Sequence, residues 1–148
     1  MVKTGSRLSS HTSMPIYAFY YCSSLSSIDW LSSCYTGLID LPSYAFEYCQ
    51  GITSLSSLPY RIIRLGEYAF YHCEGLTGIQ DLRSTGLTSL YNSSVFRYCT
   101  NVKEWKLPST LKGTEFGIYV FGNNTALSAI ELPESLTAIA SYCFFYDS

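Results

Sequence analysis

The sequence predicts a repeat solenoid of about five to six coils, with a short parallel β-sheet on one face and irregular loops and short turns elsewhere. Three observations predict it. An aromatic corner recurs at a near-constant period, apolar residues follow each corner at fixed offsets, and Leu-Pro pairs close the apolar stretch. The corners "IYAFYYCSSL" (16–25), "SYAFEYCQGI" (43–52) and "EYAFYHCEGL" (67–76) share the frame Tyr-Ala-Phe-x-x-Cys-x-x-apolar. Their recurring phenylalanine continues as Phe19, Phe46, Phe70, Phe96, Phe121 and Phe144, at spacings of 27, 24, 26, 25 and 23 residues.

The columns around this anchor justify each part of a coil. Two residues before it stand Tyr17, Tyr44, Tyr68, Ser94, Tyr119 and Tyr142. Three after it stand Cys22, Cys49, Cys73, Cys99, Asn124 and Asp147. Leu25, Ile52, Leu76, Val102 and Leu127 come next, then Ile28, Leu55, Ile79, Trp105 and Ile130. In "TALSAIELPESLTAI" (125–139) the apolar step shortens from three residues to two at Ile130-x-Leu132, which marks a short strand. Pro133 ends it, because proline has no amide for a ladder. The pair Leu136 and Ile139 leads back to the next corner. Extra residues near 32–37 and 83–86 fall at corners facing water. A unit of about two dozen residues cannot enclose its own apolar side chains, so neighbours must stack, with parallel strands about 4.8 Å apart. The expected organisation is a polar lead over 1–13 and a solenoid over 14–148, open at its C-terminal end.

The frame "AFxxCxxLxxIxLPxxLxxI" resembles the BspA-like leucine-rich repeat family, with "YAFEYCQGITSLSSLP" and "TALSAIELPESLTAI" as close matches over nearly all of 14–147. The resemblance implies a leucine-rich-repeat solenoid and an adhesion or protein-binding role. It also implies a surface-exposed or secreted setting, with phage-encoded and protist arrays as relatives. In such repeats the Cys or Asn column is a buried corner donating to backbone carbonyls of the turn.

Composition excludes several functions. Charged residues make up 14% of the chain and the net charge is −2, too few clustered cations for a nucleic-acid partner. An apolar content of 47% excludes disorder. The N-terminus "MVKTGSRLSSHTSMP" holds no apolar run of signal-peptide length, and no window is long enough for membrane insertion.

Chemistry-bearing constellations are sparse. The Cys column with Asn124 in its fifth position predicts buried reduced thiols at Cys22, Cys49, Cys73 and Cys99, although stacked columns bring successive Cys near enough for an occasional disulfide; Cys34 and Cys143 have no CxxC partner, so no metal site is expected. His72 beside Cys73 is the best nucleophile–base pair, but adjacent residues in extended chain point apart. Glycine-rich phosphate loops, Ser elbows and zinc-helix motifs do not occur. No catalysis and no cofactor are expected.

The binding candidates are two. Tyr20, Tyr48, Tyr71 and Tyr98 follow the anchor where the chain turns outward, and exposed tyrosine makes low-entropy contacts with proteins or glycans. Asp29, Gln80, Glu104 and Glu131 are expected to point outward from the strand face. The expected function is therefore a non-catalytic protein- or glycan-binding module. The alternative is a structural subunit of a larger assembly, a phage particle or surface filament. It would self-associate or dock through Phe144, Phe145 and Tyr146 at an uncapped end.

Overall fold

The computed structural model describes residues 11–111 and 115–147. Six anchors become six coils stacked in sequence order. Phe19, Phe46, Phe70, Phe96, Phe121 and Phe144 form one column of stacked rings, with successive centroids 5.3, 5.4, 5.8, 5.7 and 5.5 Å apart. The four central coils bury these rings completely. Around them lie Ile52, Leu55, Leu76, Leu82, Val102, Trp105, Leu111 and Phe116 from successive coils, forming one continuous core.

Regular elements are short because each coil side spans only a few residues. In chain order they are α1 (Leu31–Cys34), β1 (Asp40–Leu41), β2 (Arg64–Leu65), β3 (Gly78–Asp81), β4 (Val102–Lys106), β5 (Glu115–Phe116), β6 (Ala129–Glu131) and β7 (Ala138–Ile139). The single sheet expected from sequence is replaced by three small parallel ones. β3-β4-β6 occupies the predicted face, while β1-β2 and β5-β7 lie on the segment leading into the next corner. Pairing is in repeat register: Leu41 faces Leu65, and Phe116 faces Ile139.

One coil departs from the predicted inside-out pattern. Gly78 adopts φ +63°, and the register shifts between Gly78 and Ile79. Gly78 and Ile79 pair with Val102 and Glu104, so Lys103 of β4 is the unpaired residue. Gln80, ten residues after its anchor where Trp105 is nine after its own, takes the inward place. Ile79, expected inside, is 56% exposed, and Gln80, expected outside, is 1% exposed opposite Trp105. The inward amide is satisfied. Gln80 Oε1 accepts from the Leu55 amide at 2.9 Å, and Nε2 donates to the carbonyls of Thr77 and Thr53 at 2.8 and 3.2 Å. Gln80 is thus removed from the outward binding candidates.

The Cys column follows its predicted role in three of four coils. Cys49, Cys73 and Cys99 donate to the anchor carbonyl one coil back, Phe19, Phe46 and Phe70, at 3.0, 3.2 and 3.4 Å. Asn124 repeats the bond to Phe96 at 3.0 Å. Cys22 is the exception. It is exposed, because no earlier coil lies against it among the described residues. Coil stacking also dictates glycine where backbones meet: a Cβ on Gly75 would overlap the carbonyl oxygen of Gln50 in the coil behind. The expected polar lead lies mostly outside the described residues. Met14 is already core.

Candidate functional site: the tyrosine corner

The corner is built by an unusual backbone. In every coil, the residues two before and two after the anchor hold φ between +55° and +63°. The first set is Tyr17, Tyr44, Tyr68, Ser94, Tyr119 and Tyr142, and the second is Tyr21, Tyr48, His72, Tyr98, Asn123 and Tyr146. Left-handed backbone costs a residue with a Cβ about 1–2 kcal/mol. Glycine or asparagine would remove most of it, yet nine of these twelve positions carry tyrosine.

This geometry turns every second amide along the stack. Phe19, Phe46, Phe70, Phe96 and Phe121 donate N–H to the carbonyls of Ala45, Ala69, Val95, Val120 and Cys143 in the next coil, at 2.9 to 3.0 Å. The second left-handed column does the same: Tyr21, Tyr48, His72, Tyr98 and Asn123 donate to Glu47, Tyr71, Arg97, Gly122 and Phe145. The corner is therefore a hydrogen-bonded ladder, and its side chains are held in register by backbone.

Two rows of rings result. Tyr17, Tyr44 and Tyr68 stack at 4.6 and 5.1 Å. Tyr21, Tyr48, His72 and Tyr98 stack at 4.6, 4.8 and 4.3 Å. Tyr71 stands edge-on between the rows, T-shaped to Tyr48, Tyr68, His72 and Tyr98 at 4.7–5.8 Å. Tyr20 meets Tyr17, Tyr21 and Tyr48 the same way. The structure thus gathers Tyr20, Tyr48, Tyr71 and Tyr98 on one face.

Sequence reasoning undervalued three members of this face. His72 is not the base of Cys73: it lies in the ring row, its Nδ1 2.9 Å from Glu74 Oε1, while the Cys73 thiol points into the core. Glu47 lies between Tyr20 and Tyr71 in the column after the anchor, and burial raises its carboxyl pKa. Arg97, in the same column, lays its guanidinium over Tyr119 at 4.2 Å and Tyr98 at 5.0 Å. The signal was available as two aromatic columns placed symmetrically about the anchor.

The strand face looks different. Glu104 and Glu131 share Lys106 at 3.6 Å each, and Asp81 holds Arg83 at 2.6 Å. Asp29 is exposed, its carboxyl pKa lowered by hydrogen bonds from Ser57 and Ser27. Two of the outward acids are thus already engaged within the chain. Burial pushes the Cys49 and Cys143 thiols up to about 12 and raises Cys73 as well. Among the described residues no three His, Cys, Asp or Glu side chains are placed to share a metal ion. No described helix is long and apolar enough to cross a membrane.

Coils joined by parallel pairing, an aromatic column and a Cys/Asn corner define a leucine-rich repeat protein. The chain belongs to the BspA-type leucine-rich repeat family, whose profile matches six copies over residues 9–148. Among solved structures it is similar to the leucine-rich repeat protein of T. pallidum, with a TM-score of 0.63 and 20% identity. That match covers 87% of this chain and 69% of the other, and at this identity it speaks for the fold. A search of curated proteins finds no match.

Proposed function

We propose that this chain is a non-catalytic binding module whose tyrosine corner docks a protein partner. The observation that carries the reading is the continuous face of Tyr20, Tyr48, Tyr71, His72 and Tyr98, held in register by the backbone ladder. Rings fixed this way lose little further entropy on binding, and tyrosine is favoured in contact surfaces for that reason. A protein suits the face better than a glycan. Sugars pack on open ring faces, and here successive rings cover each other's faces, leaving edges and hydroxyl rims. The Glu47 carboxylate favours a partner bearing arginine or lysine, while the seat between Tyr98 and Tyr119 is already filled by Arg97. Raised thiol pKa values and the absence of a Cys73–His72 contact support the non-catalytic reading. The strand face is the weaker candidate, since its acids Glu104 and Glu131 are paired internally.

Affinity capture with three proteins tests this: the native chain, one with Tyr48, Tyr71 and Tyr98 changed to Ser, and one with Glu104 and Glu131 changed to Gln. With folding checked by circular dichroism, capture of a partner should be lost in the tyrosine variant and kept in the glutamate variant. Retention in the tyrosine variant, or loss confined to the glutamate variant, overturns the assignment.

A further inference from the structure

We infer that Glu47 is the socket for a single arginine side chain of the protein partner, entered from solvent between Tyr20 and Tyr71. This rests on the tyrosine-face reading and deepens it, by naming the one charged contact that fixes where the partner sits.

The column one residue after the anchor runs between the two rows of rings and carries Tyr20, Glu47, Tyr71 and Arg97 in successive coils. Glu47 belongs to the second coil and has a packed coil on each side. At 9% exposure it is the one buried acid among the described residues. Its carboxylate forms no hydrogen bond and no ion pair with any of them. The contrast with other acids is plain. Asp40, Asp81, Glu104 and Glu131 are all more exposed, and each has an arginine or lysine within 2.6–3.6 Å. A carboxylate withdrawn from water without a counter-ion is unfavourable, and burial accordingly raises the Glu47 pKa. The rings around it do not satisfy it. Tyr44 is stacked between Tyr17 and Tyr68, and Tyr48 between Tyr21 and His72, so both present only edges. Ring edges tolerate an anion, but a cationic donor is needed to neutralise one.

The chain itself shows that this column accepts a guanidinium. Two coils further on, Arg97 lies 5.0 Å from the Tyr98 ring and 4.2 Å from the Tyr119 ring. Ser94 and Asn123 interrupt the ring rows at that level and open the faces that Arg97 covers. At Glu47 the rows are unbroken, so the carboxylate and the neighbouring hydroxyl rims do the holding. Tyr20 supplies one such rim: its hydroxyl pKa is raised first by burial and next by the Glu47 charge. A guanidinium presents a planar fork of donors that meets both carboxylate oxygens at once and leaves others for the hydroxyls. A lysine ammonium is a compact point charge, more strongly hydrated, and matches this arrangement less well. The occupant is therefore arginine. Because folding has already taken the carboxylate largely out of water, the pair forms where its attraction is least screened.

The test titrates the full chain, isotope-labelled at its glutamate carboxyls and tyrosine rings, with acetyl-Gly-Arg-Gly-amide and its lysine and citrulline counterparts. NMR is the readout. The arginine peptide should shift the Glu47 carboxyl and Tyr20 ring signals saturably. The lysine peptide should bind several-fold more weakly, and the uncharged citrulline peptide should move neither signal. Glu47→Gln should weaken the arginine peptide about tenfold, while Glu134→Gln should leave it unchanged. Glu47→Gln removes an unpaired buried charge, so it should melt at or above the native temperature. A lower melting point would reveal a partner within the chain and overturn the proposal. So would a Glu47 signal that ignores the arginine peptide, or one that responds equally to lysine or citrulline. Partner capture lost on changing Tyr48, Tyr71 and Tyr98 to Ser, but untouched by Glu47→Gln, overturns the socket alone. A saturable Glu47 response, with capture surviving in the tyrosine variant, supports the socket and overturns the face reading.

Discussion

Twelve left-handed residues without a glycine among them place an unusual demand on single side chains. At Tyr44, with φ +60°, the backbone disfavours any Cβ, while stacking on Tyr17 and Tyr68 holds the ring. Aromatic pairs contribute about 0.5–1.5 kcal/mol beyond their buried area, enough to offset most of the conformational cost. Tyr44→Ala keeps the strain and loses the stacking, whereas Tyr44→Gly loses both. Chemical denaturation should therefore find the Gly variant more stable than the Ala variant by about 1 kcal/mol, the reverse of their usual order. The thiols offer a second expectation. A thiol reagent under native conditions should label Cys22 first and Cys34 more slowly, and should reach Cys49, Cys73, Cys99 and Cys143 only on unfolding. Burial both blocks access and raises their pKa, leaving no thiolate to react. Rapid labelling of four or more thiols would contradict the buried column.

A coil is defined by its corner more than by its strands, which run two to five residues. The corner of the sixth coil differs by one residue: Asp147 stands where Asn124 and the cysteines stand. Its Oδ1 accepts the Asn124 amide at 2.8 Å, while Oδ2 is buried without a partner among the described residues. Burial lifts its carboxyl from the ordinary 3.8 to about 6. The folded coil thus holds the proton more tightly than the unfolded chain does. Its contribution to stability is complete below about pH 4 and is lost as pH rises through about 6. Hydrogen exchange at residues 142–147 should accelerate between pH 5 and pH 7 beyond the intrinsic rate. Asp147→Asn, which supplies an amide donor like that of Asn124, should remove the excess. The register shift at Gly78 shows what a coil-level pattern hides. The two-residue step placed Ile79 inside and Gln80 outside, and one extra residue between anchor and inward place reversed both. Sequence periodicity has no term for such a shift unless the glycine is weighed as one.

Across the whole stack, position along the column sets what each anchor contributes. Phe70 is sandwiched between Phe46 and Phe96 with no exposure, whereas among the described residues Phe144 has one ring neighbour in the column and is half-buried. Phe70→Ala should cost about 3–5 kcal/mol in denaturant unfolding, as a buried aromatic cavity does, and the half-buried Phe144→Ala distinctly less. Similar losses at both sites would mean that the end of the stack is covered. The same reasoning explains why the molecule's surface divides into a ring-lined corner and a charge-paired sheet. Stacking multiplies whatever a column carries, so one tyrosine per coil becomes a face.

Period, anchor column, buried thiol corner and family resemblance were all readable from the letters, because equivalent places in stacked coils demand equivalent volumes and donors. Folding in three dimensions settled what letters do not encode: the left-handed backbone beneath the tyrosines, the inward turn of Gln80, and the pairing of Glu131 with Lys106 of the coil before it. Those depend on where one coil's backbone lies against the next. A bulge or an ion pair between coils is decided by contacts some 25 residues apart, beyond the reach of any local pattern.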